Sequence, residues 1–300
     1  MNDRNGERAA LKVPPDLTIV AIGGCGKKLA SEICEHEWFL KHYLGEGRHL
    51  KVYIMDTDTN EKEQDEERRE EIVKRVEEMG GRGSVETSIF LLPHLANISR
   101  VSDLASKGIA DKIKDRKAKP AVNVWWLNDA EYGISFDDLK KRDPGIIEEF
   151  AGGVHRRRAI SKAIFYKVLS EGEGSGFPTF SSRGPIAIIV GLGGGTGSGM
   201  SIDLARYIRS LRGEEAEIWL FGVLPTTEEG EKEQLNAAIA LTELEYLNLK
   251  GRLFNYVVLT SLGPTGFGAG EEAKREVQEF DSVFPYTFIN LLLGHMTSST

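Results

Sequence analysis

Residues 191–200, GLGGGTGSGM, place six glycines within nine positions directly after the apolar run Ile186–Val190. A short apolar run that ends in a turn is typical of a buried strand. Glycine at that end indicates backbone angles that other residues avoid, or a main chain that a ligand touches. Amides just ahead of a helix N-terminus, together with the helix dipole, favour an anion such as phosphate. The amides and hydroxyls concerned belong to Gly193, Gly194, Gly195, Thr196, Gly197 and Ser198.

A tight turn with close packing of the helix on the sheet is the alternative explanation of these glycines. One or two glycines suffice for such a turn. The longer run in this sequence therefore favours phosphate binding.

Apolar runs alternate with helical patterns along most of the chain. Strands are predicted at 17–22, 50–55, 88–92, 185–190, 217–224 and 253–260. Helices are predicted at 27–39, 61–78, from Arg158 to about Leu169, at 201–211, at 231–249 and up to about Leu293. This alternation predicts an α/β fold: a Rossmann-like parallel sheet with helices on both faces. Ligands of such sheets bind beyond the carboxyl ends of the strands.

The segment 61–149 is interpreted as an insertion for which the sequence offers no chemistry. The dense charges of 61–78 predict a solvated helix. A basic, polar helix is expected at about 102–117, and 122–127 is either a strand or an aromatic anchor.

The net charge of −8 argues against a general nucleic-acid binder, because neutralising phosphates requires a basic face. The two cysteines, Cys25 and Cys34, suit neither a metal site nor a disulfide framework, so we expect a reducing, cytoplasmic compartment. The polar N-terminus lacks the apolar core of a signal peptide. No apolar run approaches the length of a membrane span.

The turn after the first predicted strand is a weaker signal of the same kind as the glycine run. Lys28 stands where a P-loop has Ser or Thr, and Leu29 where a dinucleotide fingerprint has its third glycine. A ligand-binding turn and a packing turn both remain open. The residues of this turn are Gly23, Gly24, Cys25, Gly26 and Lys27.

Two acids follow the second predicted strand. Asp56 and Asp58 could meet a ribose hydroxyl or a magnesium ion, and helix capping is the alternative. The position of Asp56 on the rim of the sheet favours a functional role.

Basic residues follow a pair of glycines before the next predicted helix. Arg156–Arg158 after Gly152 and Gly153 could clamp a terminal phosphate through bidentate donors. Adjacent positions on a helix face different ways, so at most one or two of them reach a site. A solvated basic surface is the alternative.

Two polar residues lie in or near the start of the long helix at 231–249. Glu229 could accept a hydrogen bond from a sugar hydroxyl, and Asn236 could pair with a base edge. The alternatives are a solvated acid for Glu229 and, for Asn236, a core amide that the backbone satisfies.

These segments together resemble the tubulin/FtsZ superfamily of guanine-nucleotide-binding proteins. The residues Gly193–Gly199, which lie between a predicted strand and a predicted helix, are similar to the signature of that superfamily. GGCGKKLASEICEHEWF (23–39) is similar to the opening nucleotide loop and helix of tubulins, and MDTDT (55–59) resembles an FtsZ loop. GGVHRRRAISKAIFYKVL (152–169) is similar to the γ-phosphate loop and its helix, and LPTTEEGEKEQLNAAIALTELEYL (224–247) to the sugar-binding loop and central helix. Because the sequence diverges from ordinary FtsZ and tubulin, the resemblance suggests one of the divergent FtsZ-like subfamilies of bacteria or archaea.

The resemblance implies GTP or GDP as the ligand, with magnesium as a candidate companion. It implies that Gly24, Cys25, Gly26 and the loop 193–198 hold the phosphates, and that Gly152, Gly153 and Arg156 lie by the γ-phosphate. Glu229 would meet the ribose and Asn236 the guanine. The implied organisation is a flexible N-terminus (1–14), a nucleotide-binding domain (15–230), a central helix (231–250) and a partial second domain (251–300).

The resemblance also implies a cytoskeletal, membrane-remodelling or cell-division protein. Its expected partners are the guanine nucleotide, further copies of itself in filaments or dimers, and a membrane-associated protein, but no nucleic acid. In the family, an acidic loop of a second domain completes the hydrolytic site of the next subunit.

No acid follows Asp281 in this sequence, so we assign no catalytic residue and expect weak or no GTP hydrolysis by this chain alone. The alternatives are a polymerising GTPase that takes its acid from Asp281, Glu271 or Glu272 of a neighbour, and a dinucleotide-dependent oxidoreductase of Rossmann type.

Overall fold

A computed structural model of the chain describes residues 16–44, 49–79, 84–92, 153–154, 156–171, 177–180, 184–226, 229–261 and 271–298. Its strands are β1 (Asp16–Ile22), β2 (His49–Asp56), β3 (Val85–Leu91), β4 (Ile186–Gly191), β5 (Ile218–Leu224) and β6 (Tyr256–Ser261). Its α-helices are α1 (Gly23–Glu35), α2 (Glu37–Leu44), α3 (Lys62–Glu78), α4 (Arg158–Glu171), α5 (Gly195–Arg212), α6 (Glu231–Gly251) and α7 (Glu271–Ser298). A short 3-10 helix, Thr59–Glu61, precedes α3.

The strands form one sheet in the order β3-β2-β1-β4-β5-β6, and each neighbouring pair is parallel. This confirms the predicted Rossmann-like α/β fold. Ile22, the last residue of β1, is in register with Met55 on one side and Val190 on the other. The turns that follow these three strands therefore meet at one edge of the sheet, where ligands of such folds bind.

Helices cover both faces of the sheet, because successive side chains of a buried strand point to opposite sides. On β1, Val20 and Ile22 belong to the core cluster that includes side chains of α4, α5 and α6. Ile19 and Ala21 belong to the cluster that includes side chains of α1, α2, α3 and α7. The central strands are consequently apolar on both faces.

Two helix starts differ from the sequence-based boundaries. α5 begins at Gly195 and not at Ser201, and α1 begins at Gly23 and ends at Glu35, before His36 separates it from α2. Glycine has a low helix propensity, which is why the boundaries were placed too late. Packing against the sheet and neighbouring helices outweighs that propensity here, so the glycine turns are themselves first helical turns.

The last two described elements are built onto the same sheet. β6 pairs with β5, and on α7 the rings of Phe284 and Phe288 contact Phe221 of β5. The division of the chain into domains stays a prediction. The helix expected at 102–117 and the segment 122–127 lie outside the described residues. Within the described part, no helix combines the length and the apolar character needed to cross a membrane.

Candidate nucleotide site

A cleft of about 290 Å³ opens at the carboxyl edge of the sheet. It lies between the first turns of α1 and α5, the residue Arg156 ahead of α4, the end of β5 and the start of α6. Ten of the residues predicted from sequence line it: Gly23, Gly24, Cys25, Arg156, Gly193, Gly194, Gly195, Thr196, Gly197 and Glu229.

Two helix N-termini point their free amides into this cleft. α1 starts at Gly23 and α5 at Gly195, and neither has a side-chain cap or an acid in its first turn. The first turns of α2, α3 and α6, in contrast, each contain an acid. The first amides of a helix lack partners within the helix and carry the positive end of its dipole. Two such ends beside one cleft make a site for an anion.

Several glycines of the turns are required by packing. A methyl group at Gly195 would lie 2.6 Å from Val154 Cγ2, and one at Gly197 would lie 3.0 Å from the carbonyl oxygen of Gly191. At Gly199 and Gly26 it would overlap carbonyl oxygens of α4 and β4. These positions let the helices approach the sheet and each other closely. The packing interpretation is therefore correct for part of the signature, and Gly26 lies behind the cleft wall.

Gly24 and Gly194 are different, because neither packing nor conformation requires a glycine there. No heavy atom of the protein lies within 4 Å of a methyl group placed at Gly24. At Gly194 the nearest is the carbonyl oxygen of Gly191, at 3.6 Å, and its φ of −70° suits any residue. Both residues line the cleft. A ligand that approaches the main chain explains these two glycines.

Two further glycines have backbone angles that favour glycine. Gly23 has a φ of 70° and Gly153 a φ of 85°. A methyl group at Gly153 would lie 3.4 Å from Asp58 Cβ, so the segment ahead of α4 lies against the turn after β2. Gly152 lies outside the described residues.

The two hydroxyl groups of the signature bond mainly within the protein. The hydroxyls of Thr196 and Thr57 lie 2.9 Å apart, and Ser161 Oγ donates to the carbonyl oxygen of Thr196 at 3.0 Å. Ser198 is buried, and its hydroxyl donates to the carbonyl oxygen of Gly194. Thr196 lines the cleft, whereas Ser198 supports the turn from within α5.

The side chain of Asn236 ties together the two loops that flank the cleft. Its Nδ2 donates to the carbonyl oxygens of Arg156, at 2.8 Å, and of Gly193, at 3.1 Å. This is the backbone-satisfied arrangement that the sequence left open. On the same side of the cleft, Glu229 Oε1 accepts from the amide of Thr226 at 3.2 Å.

Glu233 is a cleft residue that sequence reasoning missed. Its carboxylate lies 2.5 Å from the guanidinium of Arg156, and it is buried whereas Arg156 is exposed. Its position one turn ahead of Asn236 on the same helix is a signal that could have found it.

Lys27 and Asp56 bind each other behind the cleft. Lys27 Nζ lies 2.6 Å from Asp56, 2.6 Å from Glu61 and 3.0 Å from Asp65. Burial lowers the pKa of Lys27, but the three carboxylates outweigh it and the net shift is upward. The hydrogen bond from Lys27 lowers the pKa of Glu61. The interpretation of 61–78 as a solvated helix is wrong at Asp65, which is fully buried.

Asp58 caps the 3-10 helix, since its Oδ1 accepts from the amide of Asn60 at 2.9 Å. Capping is the alternative noted from the sequence. Asp56 Oδ1 accepts from the amide of Thr57 at 2.7 Å and so shapes the turn that carries the hydroxyl next to Thr196.

Cys25 lies on the cleft wall with its side chain exposed to the cleft. Desolvation by the surrounding protein, reinforced by the charges of Asp281 and Glu229, raises its pKa to about 12. The thiol is therefore protonated at neutral pH.

A buried network of charges joins α4, α5 and α6 beneath the signature. Glu243 accepts from Arg158 at 2.7 Å and from Lys162 at 2.8 Å, and Arg158 also donates to the carbonyl oxygen of Ser198 at 3.0 Å. Asp203 pairs with Lys162 and with Arg206. Burial acts to raise the pKa of Asp203, but these two cations outweigh it and lower the pKa. Sequence reasoning left open whether Arg158 clamps a phosphate or lies on a solvated surface, and it missed the network in which Arg158 is buried.

Comparison with known proteins finds one matching family and several structures of similar fold. A family described as "Tubulin like" matches residues 157–285, which include α4, the glycine signature and α6. This part of the chain is therefore similar to tubulin-like proteins. The structure of CetZ2 from Haloferax volcanii, described as a GTPγS-bound protofilament, is 17% identical with a TM-score of 0.51, covering 94% of this chain and 59% of that one. CetZ from Methanosaeta thermophila is 15% identical with a TM-score of 0.52, covering 92% of this chain and 54% of that one.

The chain spans between half and three fifths of the length of these two structures. At such identities the structural likeness shows the shared fold. No curated protein matches the sequence significantly.

Proposed function

We propose that the cleft binds a guanine nucleotide, GTP or GDP, with its phosphates on the free amides at the starts of α1 and α5. The observation that carries this proposal is the pair Gly24 and Gly194, where a side chain would fit the protein but would stand between a ligand and the main chain. Phosphate is the anion that two helix N-termini and a glycine turn accommodate best. The family relationship narrows the nucleotide to a guanine nucleotide.

The proposed pose follows the order of residues around the cleft. Cys25 and the signature loop surround the phosphates, and Arg156 approaches the terminal one. Gly153 does not line the cleft and would act on the terminal phosphate only by shaping the segment that carries Arg156. Glu229 meets the ribose. Asn236 contacts the guanine, which would require its amide to exchange one of its two carbonyl partners for the base edge.

Magnesium would bind chiefly through the phosphates in this proposal. The described residues contain no group of three or more His, Cys, Asp or Glu able to hold a metal ion. Magnesium keeps several waters and takes one or two protein oxygens beside phosphates, so this is compatible with a nucleotide-bound ion. Thr196 is the hydroxyl of the cleft that could add such an oxygen.

Self-association into filaments or dimers is part of the proposal, as is a cytoskeletal, membrane-remodelling or cell-division role with a membrane-associated partner. The support is the family relationship and the shared fold with CetZ2, whose structure is described as a protofilament. We place the protein in the cytoplasm, because Cys25 and Cys34 are both free thiols.

We further propose that bound GTP is hydrolysed slowly or not at all by this chain alone. Among the described residues that line the cleft, the carboxylates are Glu229 and Glu233, one bound to an amide and the other to Arg156. Asp281, the acid considered for a neighbouring subunit, is buried and paired with Lys28. The competing proposal, a polymerising GTPase, then depends on Glu271 or Glu272, whose side chains lie outside the described set.

The proposal is tested by measuring first which nucleotides bind to the chain and then whether it hydrolyses bound GTP. Purified chain is titrated by calorimetry with GTPγS, GDP, ATPγS and NAD in magnesium buffer, and phosphate release from GTP is followed over a range of protein concentrations. We expect binding of both guanine nucleotides and no measurable release. Preference for NAD or ATPγS would overturn guanine-nucleotide binding. Turnover that rises with protein concentration would favour the polymerising GTPase.

A further inference from the structure

An ion pair spans the glycine turn at the base of the cleft. Arg156 and Glu233 lie 2.5 Å apart, and they approach the turn from different elements. A methyl group at Gly195 would lie 2.9 Å from Arg156 Cα, and one at Gly193 would lie 3.2 Å from Glu233 Cβ. The pair therefore bridges the two ends of the segment that carries Gly194, which is where the proposed phosphate binds.

The main chain of Arg156 is fixed while its side chain has room to move. Asn236 holds its carbonyl oxygen, Gly195 packs against its Cα, and its φ of 62° is a left-handed angle rare for residues other than glycine. Its side chain is 64% exposed, whereas that of Glu233 is 7% exposed. A change of partner at this pair would consequently move the guanidinium and leave the loop in place.

The charges of the cleft make the two possible partners of Arg156 compete. Among the described residues that line the cleft, Arg156 carries the single positive side chain, and Glu229 and Glu233 carry negative ones. A guanidinium forms strong bidentate bonds with a carboxylate or with a phosphate. A terminal phosphate beside Arg156 would have to share or displace Glu233.

We infer that Glu233 sets how strongly the cleft distinguishes a nucleoside triphosphate from a diphosphate, by holding Arg156 until a terminal phosphate takes it over. This inference rests on the proposed nucleotide binding and adds a specificity-determining residue to the same site. A diphosphate leaves the ion pair closed. A triphosphate opens the ion pair. Its affinity equals the affinity for the open state multiplied by the fraction of time for which Glu233 does not hold Arg156.

The size of the effect follows from the exposure of the pair. An ion pair with one exposed partner is weak, so holding Arg156 lowers the triphosphate affinity by about two- to fivefold. Glu233→Gln should raise the ratio of GTPγS to GDP affinity by that factor. Glu233→Asp keeps the charge but withdraws the carboxylate by one methylene, so it should raise the ratio in the same direction.

The experiment is calorimetric titration of GTPγS and of GDP into the purified wild type and variants, each checked for folding by thermal melting. Arg156→Ala should lower the ratio, and adding Glu233→Gln to Arg156→Ala should change it no further. The matched control is Glu231→Gln, which removes the same charge from the same helical turn at an exposed position outside the cleft lining.

Three outcomes overturn the inference. An unchanged ratio in both Glu233 variants would show that the ion pair does not oppose the terminal phosphate. A ratio that rises equally in the presence and absence of Arg156 would show a general effect of charge. In both cases the wild type still binds guanine nucleotides, and the proposed function stands. A wild type that binds neither GTPγS nor GDP would remove the proposed function and the inference with it.

Discussion

Removing the charge of Glu243 should destabilise the protein more than any other single conservative change in α6. Glu243→Gln preserves the shape of the side chain and one accepting oxygen, but it takes the countercharge from both Arg158 and Lys162. The side chains of these three residues are at most 6% exposed, so water cannot replace the lost partner.

The magnitude follows from the charges of the network. Three cations (Arg158, Lys162 and Arg206) face two carboxylates (Asp203 and Glu243). The substitution removes the carboxylate charge that Arg158 and Lys162 share. Breaking a buried pair by removing one partner costs about 3–5 kcal/mol, which is a large part of the roughly 5–15 kcal/mol stability of a typical domain.

The assay is urea unfolding followed by far-ultraviolet circular dichroism at neutral pH. Glu245→Gln is the matched control, because Glu245 is exposed on the same helix, and surface changes usually stay within about 0.5 kcal/mol. Adding Lys162→Met to Glu243→Gln should cost less than the sum of the two single changes, since both act on one contact.

A decrease in the free energy of unfolding of less than about 1 kcal/mol for Glu243→Gln would refute the reasoning, because removing one partner of a buried ion pair destabilises a protein by more than that. Strict additivity with Lys162→Met would show that the two groups do not interact in solution.

Three further outcomes follow from the structure. Gly199→Ala should lower the free energy of unfolding by about 1–3 kcal/mol, because the added methyl group overlaps the carbonyl oxygen of Arg158. An unchanged melting temperature would contradict this packing. The raised pKa of Lys27 means that its stabilising contribution is complete below its ordinary value of 10.5 and is lost at higher pH. The difference in unfolding free energy between wild type and Lys27→Met should therefore shrink above that pH; a constant difference would argue against the ion pairs. Cys25, with a pKa of about 12, should react slowly with iodoacetamide at pH 8, and rapid labelling there would show a thiolate that the cleft does not allow.

The sheet was predictable because its signal is local. Each central strand is an apolar run buried on both faces, and β1, β2 and β4 end at turns that the sequence marks with glycine or aspartate. The strand bounds differ from the predicted ones by at most three residues, whereas the order of the strands was not predicted. The early start of α5 was missed because the reason for its glycines is the surface of α4, which is remote in sequence.

The site was predictable only as a set of main-chain turns. Glycine runs reveal the cleft, but which glycines face it depends on packing that the sequence does not display: Gly26 is buried, whereas Gly24 is open. Charged side chains were the least predictable, since their roles depend on partners. Lys27 meets an acid 38 positions away, and Arg156 meets Glu233 from a separate helix.

The most direct test of the nucleotide site compares wild type with Gly194→Ala in two measurements on the same samples, GTPγS affinity and thermal stability. Alanine suits the backbone at this position, where φ is −70°, and its methyl group meets no atom closer than 3.6 Å. Stability should therefore change by less than about 1 kcal/mol, because the entropy lost by the unfolded chain opposes the lower preference of an N-cap position for alanine than for glycine. Affinity should fall by about tenfold or more, because the methyl group holds the phosphate away from the amides and one hydrogen bond to a charged group is worth about 1.5–3 kcal/mol. An equally stable variant that binds GTPγS as tightly as wild type would contradict the assignment of this cleft to phosphate.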